Sequence, residues 1–162
     1  MKASGNFLCI ELRPHTGQFF IDELPLLLLC VAAWVYGGME SLPLGDLAPT
    51  VALLLSALLA YRFIYLRRTR YCINYELLVC EQGVFHRKVD YLELYRIVDF
   101  REHQSLMQQL CGLKTVSIVS TDRSTPRLDI IGVRRRNDIV PRIRERVEYN
   151  KQRKGIYEIA NH

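Results

Sequence analysis

Leu24-Pro25-Leu26-Leu27-Leu28-Leu29-Cys30-Val31-Ala32-Ala33-Trp34-Val35-Tyr36 carries no charged side chain. A soluble core helix of this length would show polar residues on its outer face, so this run has no side suited to water. A second run, Leu47 to Leu66, is interrupted by charge only at Arg62, close to its end. It supplies about the twenty residues that a bilayer core requires. Glu40-Ser41-Leu42-Pro43-Leu44-Gly45-Asp46 separates the two runs, and the pair predicts a transmembrane helical hairpin over residues 24–66. The first run, Leu24 to Met39, is short for a span, so it begins nearer Phe19, tilts little or thins the bilayer locally. A helical hairpin buried in a soluble fold is the competing reading. The rest of the chain is too small to wrap two all-apolar helices.

Charge orients the hairpin. Arg67, Arg68 and Arg70 follow the second run directly, whereas the connecting turn carries Glu40 and Asp46 and no Lys or Arg. The positive-inside rule then puts the turn outside and both termini in the cytoplasm, which Lys2 and Arg13 support. Tyr61, Tyr65, Trp34 and Tyr36 fall near the expected interfaces. The first apolar stretch lacks a small-residue cleavage site and a second span follows it, which disfavours a removable signal peptide. The net charge of +5 is uneven: residues 1–66 hold three Lys and Arg against five Asp and Glu, and residues 67–162 hold nineteen against twelve. A basic domain tethered beside anionic lipid gains on the order of 1 kcal/mol per cation near the surface. Its cations alternate with acids along most segments, which argues against nucleic acid.

The chemistry-bearing residues point to no reaction. Cys9, Cys30, Cys72, Cys80 and Cys111 form no Cys-x-x-Cys pair and have no His at metal-ligand spacing. They read as small apolar fillers in a reducing compartment. Cys72 and Cys80 could face each other across a hairpin, but a cytoplasmic location argues against a stable bridge. His15, His86, His103 and His162 are scattered, and none has a carboxylate and a nucleophile at a recognisable spacing. No catalytic residue, metal site, cofactor or small-molecule substrate is expected.

From Tyr71 onward, short runs rich in Val, Ile, Tyr and Leu between turn residues give an all-β pattern. Tyr71-Cys72-Ile73 and Leu77-Leu78-Val79-Cys80 flank Asn74-Tyr75-Glu76, and Gly83 turns the chain into a strand over Val84 to Val89. Tyr91 to Tyr95 and Ile97 to Arg101 read as one long or bent strand, and Thr115 to Thr121 pairs through a turn with Leu128 to Ile131. Ser105 caps a short helix over Leu106 to Cys111 that Gly112 ends. Asn137 caps a longer helix through Tyr149, with Ile139, Val140, Ile143 and Val147 on one face and Arg142, Arg144, Glu145, Arg146 and Glu148 on a solvated one. Seven or so strands and one amphipathic helix make a barrel plugged by that helix.

Five segments carry a resemblance. Tyr71-Cys72-Ile73-Asn74, Gly83-Val84-Phe85-His86-Arg87, Leu94-Tyr95-Arg96-Ile97-Val98-Asp99, Ser105-Leu106-Met107-Gln108-Gln109-Leu110-Cys111-Gly112-Leu113 and Thr115-Val116 resemble, in order over about residues 70–150, the motifs of the bacterial PH-like membrane protein family, the bacterial PH domain of type 2. Members commonly place two transmembrane helices before the domain. The resemblance implies a PH-like barrel in the cytoplasm and no known catalytic residues. Glu93 stands where the family often has Pro, which leaves the local bend of that strand open.

The expected organisation is an N-terminal cytoplasmic or interfacial segment over residues 1–23, the hairpin over 24–66, a mainly-β PH-like domain over 70–150 and a basic tail over 151–162. Phe7 to Leu12 is apolar enough for an added strand or an interfacial segment. Phosphoinositide-binding PH domains grip phosphate with cations in the loop joining their first two strands, and Asn74-Tyr75-Glu76 holds none. General contact with anionic headgroups is expected from Arg67, Arg68, Arg70, Arg87, Lys88, Arg134, Arg135 and Arg136. Tyr95, Arg96, Asp99, Gln109 and Gly112 form the motif core, with Arg96 and Asp99 pinning the short helix to the barrel or lining a partner-binding edge. The expected function is a non-enzymatic inner-membrane scaffold that assembles with itself or with another membrane protein. The alternative is a sensor of anionic lipid.

Overall fold

The computed structural model describes residues 9–39 and 47–155. The turn expected at Glu40 to Asp46, residues 1–8 and the tail beyond Gly155 lie outside the described residues.

Two antiparallel sheets and a C-terminal helix form the β-rich unit. The first sheet runs β1 (Ile10–Leu12), β2 (Arg70–Ile73), β3 (Leu77–Gln82) and β4 (Lys88–Glu93) in that spatial order. The second sheet runs β5 (Ile97–His103), β6 (Leu113–Ser120) and β7 (Arg127–Arg134). Alternation along the strands turns Tyr71 and Ile73, Leu78 and Cys80, Leu92, Ile97, Val116 and Ile118, and Leu128 and Ile130 into one core. Helix α5 (Ile139–Arg153) adds Ile139, Ile143 and Val147 from one face, spaced four residues apart. The Tyr71 hydroxyl donates to the Asp129 carbonyl at 3.1 Å, joining β2 of one sheet to β7 of the other.

The helices interrupt the barrel near its start. From β1 the chain enters α1 (Gly17–Asp22) and α2 (Leu24–Gly37), returns through α3 (Ala48–Arg68) and passes into β2. Strands β1 and β2 are nevertheless direct neighbours, with Leu12 opposite Tyr71 and Ile10 opposite Ile73. The helical excursion is therefore an insertion between adjacent strands, and both of its ends sit at one end of the barrel. Pro25 and Pro49 occupy the first turns of α2 and α3, where a missing N–H costs no hydrogen bond. Arg67 and Arg68 in the last turn of α3 suit the negative end of its dipole.

Of the two apolar helices, only α3 is long and apolar enough to cross a membrane, at 21 residues or roughly 31 Å; α2 has 14 residues, roughly 21 Å. The first run does not extend back to Phe19, because the chain bends at Glu23 between α1 and α2. Helices α2 and α3 meet at Ser56, whose hydroxyl oxygen accepts from Trp34 Nε1 at 3.1 Å and lies 3.3 Å from Cys30 Sγ. At their base Arg62 pairs with Glu23 at 2.6 Å, and the Phe19 and Phe63 rings meet edge to face. The outer faces are bare: Leu28 and Leu53 are each 62% exposed and Leu54 is 68% exposed.

The strand expected over Val84 to Val89 begins only at Lys88, and Val84-Phe85-His86-Arg87 forms the preceding turn. Gly83 has φ of 113°, and a Cβ there would overlap the His86 carbonyl oxygen, so the turn tightens immediately after Gln82. The expected single strand over Tyr91 to Arg101 is two strands in different sheets. A 3-10 turn at Leu94–Arg96 breaks it, because the Leu94 side chain enters the core and its N–H donates to the Glu76 carbonyl at 2.9 Å.

Helix α4 (Leu106–Leu110) carries a reciprocal cap in which Gln108 N donates to Ser105 Oγ and Ser105 N donates to Gln108 Oε1. Helix α5 starts after Asp138 rather than Asn137 and runs past Tyr149 to Arg153. Arg146 does not belong to its solvated face. It is 5% exposed and donates to the Ile73 carbonyl at 2.6 Å and the Asn74 carbonyl at 3.1 Å. Asn150 does the same for the Tyr75 carbonyl at 2.7 Å. The tight β2–β3 turn leaves these carbonyls without strand partners, and the helix supplies their donors.

Candidate functional site: a basic seam between the first strand and β7

The segment after β1 crosses β7 instead of leaving the barrel directly. His15 N donates to the Gly132 carbonyl at 2.9 Å, and the Gln108 side chain donates to Gln18 Oε1 and to Thr115 Oγ1, each at 2.9 Å. The crossing needs a glycine: Gly132 has φ of 68°, and a Cβ there would lie 3.0 Å from Gln18 Cβ and 3.2 Å from His15 N. The β6–β7 register shifts at the same place, between Lys114 and Val116, a bulge that turns the end of β7 toward the crossing segment.

A groove of about 700 Å³ opens along this seam, walled by Arg13, Pro14, His15, Gly132, Arg134 and Arg136. A second hollow of about 400 Å³ shares His15, Arg134 and Arg136 and adds Arg135 and Gly112. Arg134 approaches His15 Nε2 at 3.3 Å, and Arg13 holds Glu11 at 2.8 Å. The hydrogen bond and charge from Arg13 lower the Glu11 pKa. Among the described residues no acidic partner lies on Arg135 or Arg136, so the rim has cations free to receive an anion. Arg13 and His15 reach this site through the pairing of β1 with β2 and the bond from His15 N to the Gly132 carbonyl. Their local sequence, Arg13-Pro14-His15-Thr16-Gly17, signals only a break.

The eight expected headgroup residues do not share one surface role. Arg67 and Arg68 end α3 without an acidic partner among the described residues. Arg70 lies 4.0 Å from Glu11, Arg87 pairs with Glu81 at 2.6 Å, and Lys88 pairs with Asp90 at 2.9 Å. The bond from Asp90 raises the Lys88 pKa and offsets the charge it offers outward.

The motif core is divided. Arg96 does not bond Asp99; its Nε donates to Glu93 Oε2 at 2.6 Å and its NH1 lies 3.9 Å from Asp122. The Tyr95 hydroxyl donates to the same Glu93 oxygen at 2.6 Å, and this bond together with Arg96 lowers the Glu93 pKa against the opposing effect of burial. Lys154 of α5's end sits over the Tyr95 ring at 3.8 Å. Asp99 accepts from Phe100 N at 2.8 Å. Gly112 lies at the opposite end of β6, roughly 26 Å of strand from Ser120, where its carbonyl accepts from Arg135 N at 2.8 Å. Gln109 does not pin α4; the neighbouring Gln108, 4% exposed, does.

The cysteines also depart from expectation. Cys72 turns away from Cys80 and forms a disulfide with Cys9, with the two Cα atoms 6.5 Å apart, so Cys9 is not an apolar filler. Cys30 and Cys80 are buried and Cys111 is exposed. Among the described residues, no group of three or more His, Cys, Asp and Glu could hold a metal ion.

Comparison with curated proteins and with solved structures gives no match. The family described as bacterial PH domain matches residues 24–147, about three-quarters of the chain, beginning after β1 and ending within α5. Domains of this kind are generally non-catalytic. The chain belongs to the bacterial PH domain family.

Proposed function

We propose that this protein is a non-enzymatic membrane scaffold: α2 and α3 form a hairpin in the bacterial inner membrane and hold the PH-like barrel against the cytoplasmic leaflet, where it assembles with itself or with another membrane protein. The observation that carries this reading is the exposure of the helix pair. The most apolar 18 residues of α3 are 11% buried, whereas a core helix of a soluble fold would be covered. Because β1 and β2 are neighbours, a chain that leaves the barrel into the bilayer must return to the same side, and a hairpin does this.

Arg67, Arg68 and Arg70 support a cytoplasmic barrel, since cations close to a span's end set its orientation. The Cys9 to Cys72 disulfide pulls the other way, because such bonds persist in oxidising compartments. The basic side of the helix boundary outweighs it, because three arginines do not translocate readily. The surface suited to a protein partner is α4, where Leu106 and Leu110 are 80% and 83% exposed. Purification of the full chain in mild detergent followed by mass measurement is expected to give more than one chain or a co-purifying subunit, and Leu106→Glu with Leu110→Glu to reduce it to one chain. A strict monomer from the unaltered protein opposes the scaffold reading.

The basic seam favours a second reading, a sensor of anionic lipid. Arg135→Ala with Arg136→Ala then weakens binding of the detergent-purified chain to anionic short-chain lipid. Equal binding to neutral and anionic lipid by the unaltered chain removes this reading.

A further inference from the structure

The turn between β3 and β4 lies against α3, not out in solvent away from the helices. The Phe85 ring stacks on Tyr61 of α3, with centroids 5.9 Å apart and planes 7° from parallel. Just before this turn, Gln82 at the end of β3 accepts from the Tyr65 hydroxyl at 3.1 Å. These two contacts fix the height of the turn along the helix. Tyr61 precedes Arg68 by seven residues, so Phe85 sits roughly 10 Å beyond the level of Arg68, toward the middle of α3. Despite the stacking, Phe85 is 91% exposed, a burial state that suits water poorly for an aromatic hydrocarbon.

We infer that the Phe85 turn is a second membrane contact, an aromatic wedge in the boundary between headgroups and acyl chains beside α3; this rests on α3 spanning the membrane. An interfacial segment places its apolar side chains about 5–10 Å into that boundary, which matches the offset from Arg68. The charges of the turn fit the same level. Arg87 is paired with Glu81 and Lys88 with Asp90, so the wedge carries compensated charge and inserts through Phe85 rather than through attraction to anionic lipid. The contact ties the barrel to the bilayer at a point distinct from the chain connections at β1 and β2, and thereby limits its rotation about the helix axis. Tight folding of the turn around Gly83, which a Cβ would obstruct, accompanies the stacking of Phe85 on Tyr61.

The test uses the single tryptophan of the chain, Trp34 in α2. The unaltered protein and a Trp34→Phe, Phe85→Trp variant are reconstituted in neutral phosphatidylcholine vesicles containing lipid brominated along the acyl chains. Quenching of Trp34 in the unaltered protein reports the hairpin, and quenching at position 85 reports the wedge. The expected result is a blue-shifted emission at position 85 that falls about twofold with bromines near the headgroup end and less with bromines near the bilayer middle. Quenching of Trp34 with water-like, unquenched emission at position 85 overturns the wedge and leaves the hairpin standing. Loss of quenching at both positions overturns both. Phe85→Ser in the same vesicles is expected to leave Trp34 quenching unchanged while increasing protease access to the β3–β4 turn; unchanged access counts against the wedge.

Discussion

The barrel and the helix pair are built from similar apolar residues and use them in opposite ways. In the barrel, Ile73, Leu78, Leu92, Ile118, Ile130 and Ile143 have no exposed surface, and even Arg146 is drawn inside to serve backbone carbonyls. In α2 and α3, Leu28, Leu29, Val31, Val35, Leu53 and Leu54 stand more than half exposed, and only Cys30, Ala52 and Leu59 are buried. The barrel therefore has its solvent-excluded interior within itself. The helices have a surface that only another apolar medium covers, so the two regions differ in what stabilises them rather than in composition.

The most severe way to break the comparison is to remove the helices. Because Leu12 and Tyr71 are paired across β1 and β2, deleting residues 14–69 and joining Arg13 to Arg70 through a short Gly and Asn turn is expected to leave a folded, soluble barrel. Cooperative thermal unfolding and elution as a compact species check this; an aggregated or unfolded product contradicts an autonomous core. In that shortened chain Ile143→Ala is expected to lower stability by about 2–5 kcal/mol in a denaturant titration. By contrast, Leu54→Ala in the full chain is expected to leave the barrel's unfolding unchanged. A shift of equal size from Leu54→Ala would show that the helices and the barrel share one core.

Smaller effects sharpen the contrast within the barrel. Arg146→Ala leaves the Ile73 and Asn74 carbonyls without their donor in a buried place, and the expected loss is about 1–3 kcal/mol by thermal or denaturant unfolding. Arg96→Ala removes a partly exposed cation, and its partners Glu93 and Asp122 keep the bonds they accept from Tyr95 and Ser124. Its melting temperature is expected to stay at that of the unaltered barrel. A marked fall would restore to the Tyr95 to Asp99 segment the structural role that its geometry does not give it.

The core was legible in the sequence wherever one periodicity governs one element. The four-residue spacing of Ile139, Ile143 and Val147 translates directly into a buried face, whereas in β6 Val116 and Ile118 enter the core as the alternation implies but Thr115 and Ser117 on the opposite face are buried as well. The Ser105 cap was equally visible. What local pattern could not show was pairing across the helical insertion. Ile10–Leu12 becomes a strand only by meeting β2 some sixty residues later, and with it Arg13 and His15 join Arg134 to Arg136 in the basic seam. Arg146 was misread for the same reason: a helical wheel reports the face of a helix but not the unpaired carbonyls of a distant turn. The β4–β5 corner was missed because Leu94, apolar and in phase with a strand, enters the core from a 3-10 turn.

Alkaline carbonate extraction of native membranes containing the full chain asks whether lipid surrounds α2 and α3. The protein is expected to stay entirely with the membrane pellet and to be released only by detergent; its appearance in the carbonate supernatant would contradict a bilayer-embedded hairpin and return the bare leucines of α2 and α3 to a protein partner.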